Sequence, residues 1–268
     1  MVSTRALALT LALSLALPAA VLAPLAAQAQ AAPAQAAPEC AANASLDTRV
    51  QAALARTDRP DAQRAKDDSR MSETRFLLAH VKPGDHVLDL GSGGGYASMV
   101  LSAAVCDGTV DAQNPADWVS DPKELAGIQA TFASRPNIHM VTSDFTKVPV
   151  PVQKYDVIFI GTIYHDTFNE ADHDAVAMDK ALGRLLKHGG VIVLTDHKTV
   201  DGAGSSATNT LHRIDKATVL ANFKAAGFKV VEDSDVLANP ADDHTLKVFD
   251  PSIRGKTDRM ALVFKKRW

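Results

Sequence analysis

The chain has 268 residues, of which 46% are hydrophobic, 5% aromatic and 22% charged, with 15 glycines and 2 cysteines. This composition excludes collagen, coiled coils, low-complexity disorder and small disulfide-stapled scaffolds, because each of those needs a far more biased sequence. The 28 basic and 31 acidic residues give a formal charge of −3. Because binding to nucleic acid requires a concentrated basic surface, we expect no nucleic-acid partner.

The first thirty residues differ in composition from the rest. Arg5 precedes an Ala-Leu run over residues 6–22, and Ala27-Gln28-Ala29 has the small-x-small pattern that signal peptidases require. These features predict a signal peptide over residues 1–29 and therefore a periplasmic or secreted protein.

A membrane anchor is the alternative interpretation of this segment, because Ala-Leu runs also span bilayers. Pro18 and Pro24 interrupt the run and favour cleavage, so we expect no stable membrane insertion after it. Residues 30–46, rich in Ala and Pro, are expected to form a disordered linker. After export, Cys40 and Cys106 would enter an oxidising compartment, where they form either a disulfide or two separate thiols.

Residues 47–268 are expected to form one domain with an N-terminal helical extension. Residues 47–80 are polar and helix-favouring, with Pro60 at a helix start. After them, short apolar runs alternate with helical segments, which is typical of a doubly wound α/β sheet. Strands are predicted at 86–90, 109–113, 137–142, 155–161, 190–195, 228–237 and 259–266, and helices at 95–105, 121–134, 170–187 and 215–226.

Two of the predicted strands are apolar at every position, Val157–Ile160 and Val191–Leu194. This pattern is expected for central parallel strands that are covered on both faces. Residues 237–258 contain Pro240, Pro251 and Gly255, so they are predicted to cross the domain as a structured loop.

A glycine cluster follows the first predicted strand and opens a helix, where a backbone can turn sharply around a ligand. A nicotinamide fingerprint that begins at Gly91 would need a small residue where this chain has Tyr96, which disfavours a nicotinamide oxidoreductase. Asp89, Gly91, Gly93 and Gly95 instead have the spacing acid-x-G-x-G-x-G.

This motif resembles that of the class I S-adenosylmethionine (SAM)-dependent methyltransferases. The resemblance extends over residues 82–266 and includes Gly189-Gly190 before the fifth strand and Ala226–Phe228 before the sixth. It implies a Rossmann-like, doubly wound seven-stranded sheet, mostly parallel with the last strand antiparallel, and helices on both faces.

A narrower resemblance is to a group of exported bacterial predicted methyltransferases. It depends on the exported start, the Asp67-x-x-Arg70 pair, the Tyr164-His165-Asp166 run and the tail over residues 239–258. Asp67 and Arg70 lie one helical turn apart, so a surface ion pair is an alternative explanation for them.

The resemblance implies SAM as cofactor and assigns residues to it. Gly91, Gly93 and Gly95 would wrap the methionine portion, and Asp89 would meet its ammonium. Asn114 stands where the family usually has a carboxylate that accepts from both ribose hydroxyls, so a weaker ribose contact is expected.

The adenine contacts are assigned in the same way. Asp144 would accept from the adenine amino group and Phe145 would pack on the ring, with Ser143 as a possible helper. The alternative is structural: a helix N-cap at Ser143 or Asp144 and a core position for Phe145. Both roles can coexist.

Methyl transfer requires alignment of nucleophile, methyl group and sulfur, and removal of a proton from some nucleophiles. The resemblance places the acceptor near the end of the fourth strand. There His165 is the candidate base, Asp166 or another acid would orient it, and Tyr164 would stack on or hydrogen-bond the substrate. A histidine that caps a helix or bonds the backbone is the alternative.

Metal-ligand residue types also occur in this region, at His165, Asp166, Asp172, His173 and Asp174. Their spacing defines no site, so no metal is expected. The sequence thus predicts a SAM-dependent methyltransferase that acts on a small molecule or an envelope component. The alternative is an inactive protein of the same fold that binds SAM or its product as a scaffold.

Overall fold

The computed structural model describes residues 40–41 and 43–267. The predicted signal peptide, residues 1–29, lies outside the described residues, as do residues 30–39 and residue 42 of the predicted linker. Within the described part of the chain, no helix has the length and apolar character needed to cross a bilayer.

Seven strands form one sheet in the order β3-β2-β1-β4-β5-β7-β6. The neighbours from β3 to β5 are parallel, whereas β7 runs antiparallel to both β5 and β6. This confirms the predicted sheet. Its strands are β1 His86–Leu90, β2 Thr109–Asn114, β3 Ile138–Thr142, β4 Tyr155–Gly161, β5 Leu186–His197, β6 Phe228–Ser234 and β7 Arg259–Lys266.

Helices cover both faces of the sheet, because consecutive side chains of a strand point to opposite sides. In β1, Val87 packs into one hydrophobic core and Leu88 into the other, and both are fully buried. Each such side chain contributes about 2 kcal/mol by leaving water. The helices are α1 Leu46–Leu54, α2 Asp61–Arg64, α3 Asp67–Leu78, α4 Tyr96–Ala104, α5 Pro122–Phe132, α6 Ala175–Leu185, α7 Thr208–Leu211 and α8 Lys216–Ala225.

The predicted helix over residues 170–187 was too long at its start. The Asp174 side chain accepts a hydrogen bond from the Ala177 backbone N–H at 2.9 Å, so α6 begins only at Ala175. A separate short 3₁₀ helix forms over Asp166–Asn169. The other differences are small: β6 ends at Ser234, and β5 already includes Gly189-Gly190.

The start of the described chain is attached covalently to the sheet domain. Cys40 and Cys106 form a disulfide with a Cα–Cα distance of 5.7 Å, so the first of the two expected alternatives holds. Because Cys106 lies just beyond the end of α4, the bond connects the approach to α1 with the helix that follows the glycine cluster. Ser45 then caps α1, its hydroxyl accepting from the Thr48 N–H.

Candidate active site

The glycine cluster forms a tight turn between β1 and α4, at the edge where the parallel strands end. Gly95 has φ +78°, and a Cβ there would lie 2.3 Å from Cε1 of Phe132. Gly91 has φ +68°, and its Cβ would lie 2.9 Å from Cγ1 of Ile163. Only glycine fits both the left-handed backbone and this close approach.

Two amide side chains at the end of β2 hold the turn in place. The Gly91 N–H donates to Gln113 Oε1 at 3.0 Å, and the Gly93 N–H donates to Asn114 Oδ1 at 2.8 Å. The Asn114 amide also donates to Ser92 Oγ at 3.0 Å. Asn114 thus lies beside the turn as expected. Its amide nitrogen donates a hydrogen bond to Ser92, which an ionised carboxylate could not do because it only accepts.

Gln113 was missed by the sequence reasoning. It is fully buried, and its amide also donates to the Ser143 carbonyl at 2.6 Å, which links the ends of β2 and β3. The available signal was a second amide immediately before Asn114, in a strand that is otherwise buried.

Asp89 lines a cavity of about 240 Å³ together with Gly91, Gly93, Trp118 and Thr162. Its carboxylate accepts from Ser98 Oγ at 2.6 Å. Burial raises the pKa of Asp89 to about 6, even though the Ser98 hydrogen bond favours the ionised form. A cationic ligand beside this carboxylate would stabilise its ionised form and offset the cost of its burial.

The N-terminal helices close over this cavity. Gln63 of α2 donates to the Gly94 carbonyl at 3.0 Å, and the Tyr96 hydroxyl donates to Asp67 at 2.9 Å. Asp67 is held by both guanidinium nitrogens of Arg59 at 2.9 and 2.6 Å. The Asp67–Arg70 surface pair is therefore not formed, and Arg70 instead lies 4.8 Å above the Tyr96 ring.

The residues predicted to contact adenine line a second cavity of about 310 Å³. Phe145 is buried and meets Trp118 edge to face at 5.6 Å, whereas the exposed Asp144 pairs with Lys147 at 2.7 Å. Next to them, the buried Ser143 hydroxyl has no hydrogen-bond partner within the described structure. This hydroxyl is shielded from solvent and is not part of the cavity lining.

A third cavity, of about 350 Å³, lies beyond the ends of β4 and β5. It shares Lys66, Arg70 and Thr162 with the cavity of Asp89, so the two adjoin. Thr162 has φ +58°, which is rare for a β-branched residue and is often retained where a site requires it. The remaining lining comes from His165, Asp166, His197, Val248, Phe249, Arg254, Thr257 and Arg259, among others.

A buried carboxylate organises the basic wall of this third cavity. Glu73 accepts from Thr195 Oγ1 at 2.7 Å and from Arg259 at 3.1 Å, with Arg70 at 3.8 Å. Although burial disfavours its charge, the two arginines hold the pKa of Glu73 below its usual range. Neither Glu73 nor Arg259 was singled out from the sequence, because the two are far apart along the chain.

His165 is placed at the wall of the third cavity by two bonds to Asp196. Its Nδ1 lies 2.7 Å from Asp196 Oδ1, and its backbone N–H donates to Oδ2 at 2.8 Å. Burial opposes a charge here, but the carboxylates of Asp196 and Asp166 outweigh it and raise the pKa of His165 to about 10. With no cation beside it the ring therefore keeps its proton at neutral pH, which does not suit a general base.

Tyr164 does not belong to the site, contrary to the sequence prediction. It is fully buried, its hydroxyl donates to Asp179 Oδ2 at 3.0 Å, and its ring packs against Phe168 and Phe223. The prediction failed because the chain leaves β4 in a turn, where the direction of successive side chains follows no regular alternation. Tyr164 thus points into the core, while His165 and Asp166 reach the cavity.

The strand order with a reversed β7, together with the glycine turn after β1, is the fold of the class I SAM-dependent methyltransferases. A SAM-dependent methyltransferase from Aquifex aeolicus matches with a TM-score of 0.54 at 19% identity, over 75% of this chain and 94% of that one.

Two further solved structures have the same fold. The glycopeptide N-methyltransferase MtfA in complex with SAM gives a TM-score of 0.51 at 14% identity, over 74% of this chain and 87% of its own. The CcbJ methyltransferase from Streptomyces caelestis gives 0.51 at 16% identity, over 74% and 89%. No protein-family model and no curated protein matches the sequence.

Proposed function

We propose that the protein transfers the methyl group of SAM to a small acceptor that carries an acidic group. The observation that carries this proposal is the pair of adjoining cavities at the carboxyl ends of the strands, one at the glycine turn and one at His165 and Arg259. In open α/β sheets, ligands bind at this edge.

The residues present fit the cofactor. Gly93 lines the cavity, and a Cβ there would meet no atom within 4 Å, so the space in front of the turn is free for a ligand. Asp89 is positioned to receive an ammonium group, and Asp144 and Phe145 line the second cavity, where adenine is expected. When bound, SAM supplies a methyl group on a positively charged sulfur, which the acceptor attacks.

The acceptor chemistry follows from the charges of the third cavity. Its lining includes Lys66, Arg70, Arg254 and Arg259, whereas Asp166 is the one carboxylate in the described lining. Glu73 neutralises part of this charge from behind. The remaining positive charge favours a carboxylate or phosphate on the acceptor, which arginine binds in a defined orientation.

Calorimetry and a turnover assay test the proposal. The protein is titrated with SAM, S-adenosylhomocysteine and NAD, and is then assayed with methyl-labelled SAM against matched small acids and their neutral amides. We expect both adenosyl compounds to bind, NAD not to bind, and acids to be methylated in preference to amides. Binding without any turnover would favour the inactive scaffold instead, and tight NAD binding would contradict the proposal.

We also propose that the protein acts in the periplasm or outside the cell. The signal-like segment over residues 1–29 and the Cys40–Cys106 disulfide support this, because such bonds persist in oxidising compartments. Cell fractionation and N-terminal sequencing provide the test. We expect a mature chain that begins near residue 30 in the periplasm or medium; an intact N-terminus in the cytoplasm would contradict it.

A further inference from the structure

Three side chains converge at the edge of the third cavity, from positions that are well separated in the sequence. His165 Nε2 lies 3.2 Å from Asp166 Oδ1 and 3.3 Å from His212 Nδ1, and the last two atoms are 3.0 Å apart. Among the described residues, this is the one group of three or more such ligand atoms close enough to share an ion.

The spacing of these three atoms matches a metal coordination shell. Ligand atoms about 2.1 Å from an ion lie about 3.0 Å apart at right angles and about 3.4 Å apart at the tetrahedral angle. All three measured separations fall in this interval.

Surrounding contacts aim the ligands at a common point. Asp196 accepts from His165 Nδ1–H, so Nε2 is the ring nitrogen directed at Asp166 and His212. A carboxylate that orients a metal-binding histidine in this way is a common feature of metal sites. His212 itself has a left-handed backbone with φ +54°, a strained conformation for a residue other than glycine.

We propose that His165, Asp166 and His212 bind a divalent transition-metal ion. Two imidazoles and one carboxylate favour Zn²⁺, Mn²⁺, Fe²⁺ or Co²⁺ over Mg²⁺ and Ca²⁺, which prefer oxygen ligands alone. Three protein ligands leave at least one position open. Because His165 and Asp166 line the third cavity, that position is available to an oxygen of the acceptor, a role that depends on the proposed function.

Cobalt provides a spectroscopic probe of the site. Full-length mature protein without an affinity tag is treated with a chelator, dialysed and titrated with Co²⁺, while visible absorption and calorimetry are recorded. We expect one ion per chain and a visible band from nitrogen coordination. Binding at no more than trace stoichiometry with millimolar cobalt would overturn the proposal.

Matched variants assign the ligands. His212→Asn keeps a residue that tolerates the left-handed backbone, and Asp166→Asn keeps the side-chain shape. Each is expected to weaken Co²⁺ binding at least about tenfold. Asp196→Asn is expected to have an effect of similar size, because it removes the bond that orients His165. The control His188→Asn alters an exposed histidine of β5 and should bind as the parent does.

Circular dichroism and thermal melting check that each variant is folded. Equal Co²⁺ binding by the parent and a folded His212→Asn/Asp166→Asn double variant would refute the assignment. SAM binding, measured on the same samples, separates the two proposals. A cobalt band without SAM binding contradicts the proposed function alone, and SAM binding without a cobalt band contradicts the metal site alone.

Discussion

The two adjoining cavities of this domain are built in different ways. The cofactor cavity, which Asp89 lines, is centred on one short stretch of backbone, the glycine turn over residues 91–95. Partners 21 to 31 residues away, such as Asn114 and Gln63, hold this turn in place. The acceptor cavity, which is the third cavity described above, is formed by side chains from remote segments, such as Glu73 and Arg259, which are 186 residues apart. A backbone turn leaves a recognisable spacing in the sequence, whereas a set of distant side chains does not.

The comparison predicts that the two regions respond to different changes. Removing the disulfide should have the largest effect on stability, because the bond closes a loop of 66 residues. We expect Cys40→Ser/Cys106→Ser to lower the free energy of unfolding by about 4 kcal/mol, as the unfolded chain gains entropy. Urea unfolding of the oxidised, reduced and variant forms measures this loss. If the variant and oxidised parent unfolded at the same urea concentration, the bond would carry no stability.

Blocking the glycine turn should have the next largest effect, and on cofactor binding only. A side chain at Gly93 would occupy the cavity, so Gly93→Arg is expected to weaken SAM binding more than about 100-fold, close to 3 kcal/mol. Ala130→Arg, on an exposed position of α5, is the matched control and should bind as the parent does. Calorimetry measures both. Unchanged affinity in a folded Gly93→Arg variant would separate this turn from the cofactor.

Breaking the charge network should affect the acceptor side. Glu73→Gln keeps the size of the side chain but leaves Arg259 without its buried counter-charge, so we expect a loss of about 2 kcal/mol of stability. The lowered pKa of Glu73 in the parent also means that its carboxylate stabilises the folded protein. This stabilisation is present above the unfolded pKa and is lost as the pH falls through the folded pKa. Urea unfolding compares it with Glu124→Gln on exposed α5, where a change below about 0.5 kcal/mol is expected. Equal losses in both would show that Glu73 holds no essential charge.

The smallest predicted effect is a pH dependence of cofactor binding. Asp89 must be ionised to bind an ammonium group, and its pKa in the free protein is about 6. SAM affinity should therefore fall towards tenfold per pH unit below that value, about 1.4 kcal/mol each, and be constant above it. Asp89→Asn should bind weakly at every pH, without this inflection. An identical pH profile for parent and variant would exclude Asp89 as the titrating group.

Much of the fold was predictable because buried strands leave continuous apolar runs. The predicted bounds of β1 and β4 equal the observed ones, and the reversed last strand came with the family resemblance. Most of the predicted cofactor residues line cavities for a related reason, because they follow strand ends at fixed distances: Asp89, Gly91 and Gly93 line one cavity, and Asp144 and Phe145 line another. The start of α6 was mispredicted because its position depends on one capping carboxylate, Asp174.

The acceptor side shows where such prediction ends. His165 and Asp166 line the third cavity, as their place after β4 predicted, but Tyr164 was assigned to the wrong environment, since no periodicity governs a turn. His212 lies far along the chain and comes close to His165 and Asp166 only in the folded protein. Its position is the reason why we propose a metal site where the sequence predicted none.

By itself, then, the sequence determined the order of strands and helices and the glycine turn, because apolar periodicity and glycine spacing act over short distances along the chain. Only the tertiary structure decided which charged side chains meet beyond β4 and β5. The interaction energies of these charged side chains depend on their distances in the folded protein. Those distances cannot be read from short stretches of the sequence.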